Sequence, residues 1–302
     1  MPIDLLKISA SKLQSLPSSN TVFMFPVGPI EDHGPHLPVG LDLFEAREHC
    51  IKAGELIENK ISGWTAIIMP TAPLGIDSNT LATTITVRPH VLRDWLVDSC
   101  RSLVKLGFRY FICFSGHPGP RQLTAIEEAG KIVSRKFLLP WWFSPKRVCF
   151  ASASSAMVKK DAMRSSLFRA HPAEHGAKRD TSVALFIAPD TVDGMFSTLP
   201  EVGNGSAGLT HLLQRLKGEI SGYWGNPADA TKELGEKIIT EEIDDVFPKL
   251  KAVLEGANPN YLFRSWYSVL PPNKSFFKAW ILALSVAIVI LLLAYAGAIS
   301  PF

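Results

Sequence analysis

Thr21–Asp42 reads TVFMFPVGPIEDHGPHLPVGLD: an almost wholly apolar run, Thr21–Val27, followed by a loop of glycines and prolines that carries acids and histidines. A short apolar run bounded by Gly and Pro reads as a strand buried on both faces. Three further runs repeat it: Trp64–Met69, Arg109–Phe114 and Arg147–Ala151. Between them lie helical patterns over Leu43–Asn59, Val91–Leu106 (closed by Gly107) and Arg121–Arg135. Thr181–Ile187 fits a strand or a helix, and Ala230–Leu254 a long helix with a polar face. Strands separated by helices build βαβ units, so the expected fold is α/β, with a mostly parallel sheet flanked by helices. The expected organisation is a catalytic body over 1–255, a linker over 256–278 with Pro259, Pro271 and Pro272, and an apolar segment over 279–298.

The 302 residues are 47% hydrophobic and 20% charged, which excludes a disordered chain or a small disulfide-stapled domain. There are 31 basic side chains against 28 acidic ones, a net charge of +3, with no dense basic run. That argues against nucleic acid as a partner. The four cysteines, Cys50, Cys100, Cys113 and Cys149, form no C-x-x-C pair and read as free thiols.

Ala279–Ala298 reads AWILALSVAIVILLLAYAGA without a charge, with Trp280 and Tyr295 near its ends. As a helix it would extend about 30 Å, so a single-pass transmembrane helix in contact with membrane lipid is expected. Arg264, Lys274 and Lys278 precede it and no charge follows, which by the positive-inside rule places the body in the cytoplasm, tail-anchored. The segment MPIDLLKISASKLQ shows no secretory signal.

In open α/β sheets chemistry collects at the carboxyl ends of strands. After the first strand, Glu31 and His33 are two residues apart and project to one side of an extended segment, and the Gly/Pro loop can fold Asp42 back towards them. Ser115-Gly116-His117-Pro118-Gly119-Pro120 puts His117 at another strand tip, and Glu174-His175-Gly176 leads to Asp180. A lone strand-end histidine such as His117 is more often structural, and Asp180 alone carries as little weight. Together, Glu31, His33, Asp42, His117 and Asp180 form a carboxylate–imidazole set suited to Zn²⁺ or Mn²⁺, with two ions sharing Asp42. His36 is the weaker ligand of its loop. His49, His90, His171 and His211 lack partners at useful spacing and read as surface or core.

Pro26 through Pro38 with Asp42 resembles the P-x-G-S-x-E-Q-H-G-P-H-L-P…D signature of the creatininase (creatinine amidohydrolase) family. Ser115–Pro120 is similar to its N-G-H-G-G-N turn, Glu174–Ser182 to its E-H-G/A-G-x-x-E-T-S stretch, and Ser221–Pro227 with Ala230-Thr231 to its G-x-x-G-D-P-x-x-A-T segment. The matches fall in family order over residues 20–250. The resemblance implies a hydrolase of cyclic or formyl amides, a small-molecule amide substrate, and a homo-oligomeric ring. It also implies two divalent ions, Zn²⁺ or Mn²⁺ with Fe²⁺ also compatible. Carried over by position, Glu31 and His117 hold one ion, His33 the other, Asp42 bridges them, and Asp180 stands where the family has a Glu. His175 matches a histidine assigned to proton transfer, with Glu174 beside it as the second catalytic candidate.

The departures are specific. Asp180 is one methylene shorter than Glu; Pro118 and Pro120 stiffen the His117 turn and remove backbone donors; Gly119 stands where creatininase has an acid. His171-Pro172 and Gly75–Thr80 also differ from the creatinine enzyme and point away from creatinine as the substrate. Trp141-Trp142-Phe143 reads as packing before lid. Two other classes compete with a soluble-substrate amidohydrolase: a catalytically impaired, membrane-anchored binding or scaffold protein on the same fold, and a hydrolase of lipid-borne substrates.

Overall fold

The computed structural model describes residues 1–76, 78, 83–134, 148–157, 174–203, 222–265 and 274–299. Among the described residues five strands form the sheet: β1 (Ile3–Asp4), β2 (Thr21–Val27), β3 (Thr65–Ile68), β4 (Tyr110–Ser115) and β5 (Cys149–Ser152), in the order β1-β3-β2-β4-β5. Every pairing is parallel, with Val22 opposite both Ala66 and Tyr110, and Val27 opposite Ser115. The expected α/β architecture is therefore present. Thr181–Ile187, open between strand and helix, lies in a helix.

All seven residues of β2 are buried, as a central strand covered on both faces requires. Its alternation sends Val22 and Met24 to one face and Phe23, Phe25 and Val27 to the other. The first face packs under α1 (Leu41–Lys60), through Cys50, Ala53 and Ile57, and under the long C-terminal helix Lys232–Leu254, through Ile243, Val246 and Leu250. The second packs under α2 (Pro89–Lys105) and α3 (Pro120–Ser134), with Leu92, Leu96, Ala125 and Ile126. We call the helices Lys178–Ile187 and Lys232–Leu254 α4 and α5. Thr231 caps α5, its hydroxyl accepting from Leu234 N at 3.2 Å. All four cysteines are buried, and none forms a disulfide.

The chain leaves β2 for β3 on one side and returns to β4 on the other. The carboxyl ends of β2 and β4 thus form the switch point at which open parallel sheets bind ligands.

The C-terminal expectation needs correction. The last helix is α6 (Lys274–Ile299), on which Leu284, Ile290 and Leu291 are exposed. Among the described residues no helix is long and apolar enough to cross a membrane. The transmembrane assignment of 279–298 is not sustained, and with it go the single-pass, tail-anchored placement with a cytoplasmic body and the lipid contact. Trp141–Phe143, His171-Pro172 and most of Asp77–Thr80 lie outside the described residues.

Phe111 is fully buried and meets Phe25 edge-on at 6.3 Å between ring centroids. Phe111→Ala is expected to cost about 3–5 kcal/mol. Urea unfolding followed by circular dichroism checks this, as a lower midpoint at unchanged slope.

Candidate metal centre

Each site residue is delivered by a strand end or a helix start. The loop after β2 carries Glu31 and His33, and α1 begins at Leu41, which sets Asp42 in its first turn. Gly116 follows β4, and a Cβ there would overlap the Asp42 carbonyl oxygen, so only glycine lets α1 start against this strand end. His117 comes next. Asp180 lies in the first turn of α4, and the turn before it packs on the first loop at Gly176. That residue has φ +57°, and a Cβ on it would overlap the His33 carbonyl.

These segments converge. Glu31, Asp42 and His117 present ligand atoms within 4.8 Å of one another, and so do His33, His175 and Asp180. His117 Nδ1 lies 3.0 Å from Glu31 Oε2 and 3.8 Å from Asp42 Oδ2, while His33 Nε2 lies 3.5 Å from Asp42 Oδ1. Asp42 thus turns one oxygen towards each group. His33 Nδ1 lies 3.0 Å from the Glu31 carbonyl oxygen, which can only accept, so Nδ1 carries the hydrogen and Nε2 keeps its lone pair for the site. His175 Nε2 likewise donates to the Asp32 carbonyl at 2.7 Å, and lies 4.0 Å from Glu31 Oε1. The His175 ring is stacked between His33 and Trp224, at centroid distances of 4.4 and 4.6 Å.

Glu31, His33 and Asp42 are 2%, 3% and 4% exposed, so the carboxylates are cut off from solvent. Buried carboxylates need cationic partners. Burial pulls the His33 pKa down, but Asp42, Asp180 and Glu31 outweigh it and push it up to about 10. His117 is also raised against its own burial, by Glu31 and Asp42. Burial and the nearby His33 charge lower His175. Among the described residues Asp42 Oδ2 and His117 Nε2 are buried without a hydrogen-bond partner. A site of oxygen and imidazole donors with an orphaned carboxylate oxygen fits a divalent ion of the Zn²⁺ or Mn²⁺ type.

All five expected ligands and His175 are therefore brought together; Glu174 is not. Its Oε1 accepts the Arg179 backbone N–H at 2.6 Å, which satisfies an otherwise orphaned donor at the start of α4. The His117 turn also differs from expectation. Pro120 is the first residue of α3, where a missing N–H costs nothing. The Ser115 hydroxyl fixes the turn, donating to His117 O at 2.9 Å and accepting from His117 N and Gln122 Nε2, each at 3.2 Å. His36 is no ligand: its Nε2 pairs with Thr181 Oγ1 at 2.8 Å, and burial, then the His33 charge, lower its pKa to about 4.

Sequence reading missed a second buried cluster. His49, expected to lack a partner, lies with Nε2 2.9 Å from Glu242 Oε2, and Arg179 joins Glu242 to Glu45. The visible signal was Glu45 four residues before His49, one face of one helix; Glu242 is too distant in sequence to read.

The fold and the two ligand groups define an α/β protein with a metal-type centre at its switch point. The family model for Creatininase: Creatinine amidohydrolase matches residues 7–248, and the chain belongs to this family. Mycofactocin precursor peptide peptidase of Mycobacterium ulcerans (strain Agy99) is 25% identical over 256 residues, covering 81% of this chain and 90% of that protein. A crystal structure of creatinine amidohydrolase (creatininase) matches with a TM-score of 0.66 at 19% identity, covering 85% of this chain and 99% of that one. A structure described as "Creatininase Mn" matches at 0.62 and 19% identity, covering 84% and 99% of the two chains. A creatininase variant described as "Zn-Zn type" matches at 0.66 and 18% identity, with the same coverage.

With its pKa near 10, His33 is protonated in the cation-free protein at pH 8. Binding Zn²⁺ or Mn²⁺ must then displace protons, and affinity is expected to rise with pH up to about pH 10, by about tenfold per unit for each proton displaced. Titration calorimetry at pH 8 in buffers of different ionisation enthalpy measures this. A released-proton count of zero contradicts it.

Proposed function

We propose that the chain is a metal-dependent amidohydrolase that cleaves an amide C–N bond. Glu31 and His117 would hold one divalent ion, His33 and Asp180 a second, with Asp42 shared between them. The observation that carries this reading is the orientation of Asp42, whose Oδ1 faces His33 and whose Oδ2 faces His117. When bound, such ions supply Lewis acidity, which makes water a nucleophile near neutral pH and polarises a substrate carbonyl.

The chain's own groups do the rest. Glu31, Asp42 and Asp180 set a negative pocket that selects cations. His175 commits its Nε2–H to the Asp32 carbonyl, 4.0 Å from Glu31 Oε1 at the edge of the pocket, so the proton it can exchange is the one at Nδ1. In its imidazolium form it is an acid that burial strengthens, suited to protonating the departing amine. Trp224 and His33 hold its ring between two planes, and the Asp32 carbonyl fixes which nitrogen bears the hydrogen. Glu174 supports this arrangement from outside, by capping the helix that carries Asp180.

The substrate class we favour is a small cyclic amide or formamide-type compound. A peptide amide is the second reading, favoured by the relative named as a precursor peptide peptidase, of which the chain covers 90%. Both are C–N hydrolyses and place the same demands on the site.

The test is metal analysis beside activity on a panel of soluble amides and short peptides. Asp42→Asn and His117→Ala are expected to lose bound metal and turnover together. His175→Ala is expected to keep the metal and lose roughly 10²–10⁴-fold in turnover. A wild-type protein that takes up neither Zn²⁺ nor Mn²⁺ ends the proposal.

A further inference from the structure

Arg179 stands beside the metal centre without belonging to it. It is the second residue of α4, and its two terminal nitrogens make four bonds. Nη2 donates to Glu45 Oε1 at 2.6 Å and to Glu242 Oε1 at 2.8 Å; Nη1 donates to Glu45 Oε2 at 3.3 Å and to Asp180 Oδ1 at 3.0 Å. The fork is bidentate on Glu45, the geometry in which guanidinium–carboxylate pairs are strongest. Glu45 is 3% exposed, so this carboxylate depends on its partner. Glu242 is held from its other side by His49 Nε2, at 2.9 Å.

Three helices meet in this one guanidinium: α1 through Glu45, α4 through Arg179 itself, and α5 through Glu242. Glu45 lies three residues after Asp42 on α1, one turn along the same face. Arg179 therefore ties the helix start that carries Asp42 to the helix start that carries Asp180. It also grips Asp180 directly, while the Gly176 backbone N–H takes the second oxygen, Oδ2, at 2.7 Å. Each Asp180 oxygen keeps a lone pair, but neither can swing. Glu45, His49 and Glu242 bring ligand atoms within 4.8 Å of one another, as a metal site would. The guanidinium already fills the place of the cation among them, so the cluster reads as a brace.

Resting on the two-ion reading above, we infer that Arg179 is a positioning residue: it clamps Asp180 against α1 and thereby builds the half of the centre formed with His33. A rigid clamp matters here because the ligand is an Asp. A longer Glu adjusts its reach by rotation about one more bond; an Asp binds only from where its backbone and its hydrogen bonds place it.

The experiment uses the full-length protein, stripped of metal and dialysed against graded Mn²⁺, with bound metal counted by elemental analysis. Spin coupling between two Mn²⁺ ions, read by electron paramagnetic resonance, reports whether the pair forms. Thermal unfolding of the metal-free proteins separates misfolding from a local effect. Arg179→Lys keeps the charge and loses the fork. It is expected to bind the first equivalent as the wild type does, to bind the second at least tenfold more weakly, and to lose the coupled signal, as Asp180→Ala does. Adding Asp180→Glu to Arg179→Lys is expected to restore the second equivalent, because the longer carboxylate reaches without the clamp. If Arg179→Lys fails to fold, the double variant Glu45→Gln with Arg179→Gln, which strands no carboxylate on α1, carries the same comparison and the same expectation. A folded Arg179 variant that binds both equivalents like the wild type overturns the inference. Equal weakening of both equivalents also overturns it, since that is general loosening. A wild type that binds no Mn²⁺ fails earlier, at the metal reading itself, and is told apart by the wild-type curve alone.

Discussion

Mutual repulsion among Glu31, Asp42 and Asp180 is the constraint around which the rest is arranged. Three carboxylates held close together at low solvent access are unfavourable unless positive charge lies among them. In the cation-free protein that charge comes from the Arg179 guanidinium at Asp180 and from protons elsewhere: His33 is held far above its usual range, and His117 is raised despite burial that works the other way. A pocket that drives its imidazoles to protonate is one that a divalent ion can enter by displacing those protons. The electrostatics thus follow from the ligand geometry and point the same way.

Holding such a pocket together is the work of the sheet. The hydrogen-bond ladder from Val22↔Tyr110 to Val27↔Ser115 fixes where β2 ends relative to β4, so the segments carrying Glu31 and His117 emerge side by side. Gly116 then lets the first turn of α1 come into contact, which sets Asp42 between them. The Ser115 hydroxyl is fully used, one hydrogen given and two accepted, so the His117 turn has little freedom left. Ligand positions in this chain follow from backbone pairing and close approach, with few of them left to side-chain choice.

What was legible in the sequence divides along the same line. β2, β3 and β4 were readable because strands buried on both faces leave unbroken apolar runs, and the five ligand candidates because each sits just beyond such a run or at a helix start. Thr181–Ile187 was ambiguous because Val183 and Ala184 bury into the body while Phe186 and Ile187 are only partly covered, which gives seven residues no clear period. Glu174 looked catalytic from its place beside His175, yet adjacent residues point in different directions and its carboxylate turns to the helix start. The Arg179 cluster was illegible for another reason: its members come from three helices and nothing local marks them as partners.

His175 brings these strands of reasoning to one residue. Its backbone is bridged to Trp224 in both directions, N–H to carbonyl at 3.1 and 2.9 Å, while its ring lies between Trp224 and His33 and its Nε2–H is committed to the Asp32 carbonyl. Translation, tilt and flip are each opposed by a different contact. A histidine that served packing alone would not need its hydrogen fixed on one nitrogen at the rim of a carboxylate pocket, and a ligand free to adapt would not need both its faces covered. The restraint makes sense for a group that must present one proton from one direction, next to charge that would otherwise pull the ring towards itself.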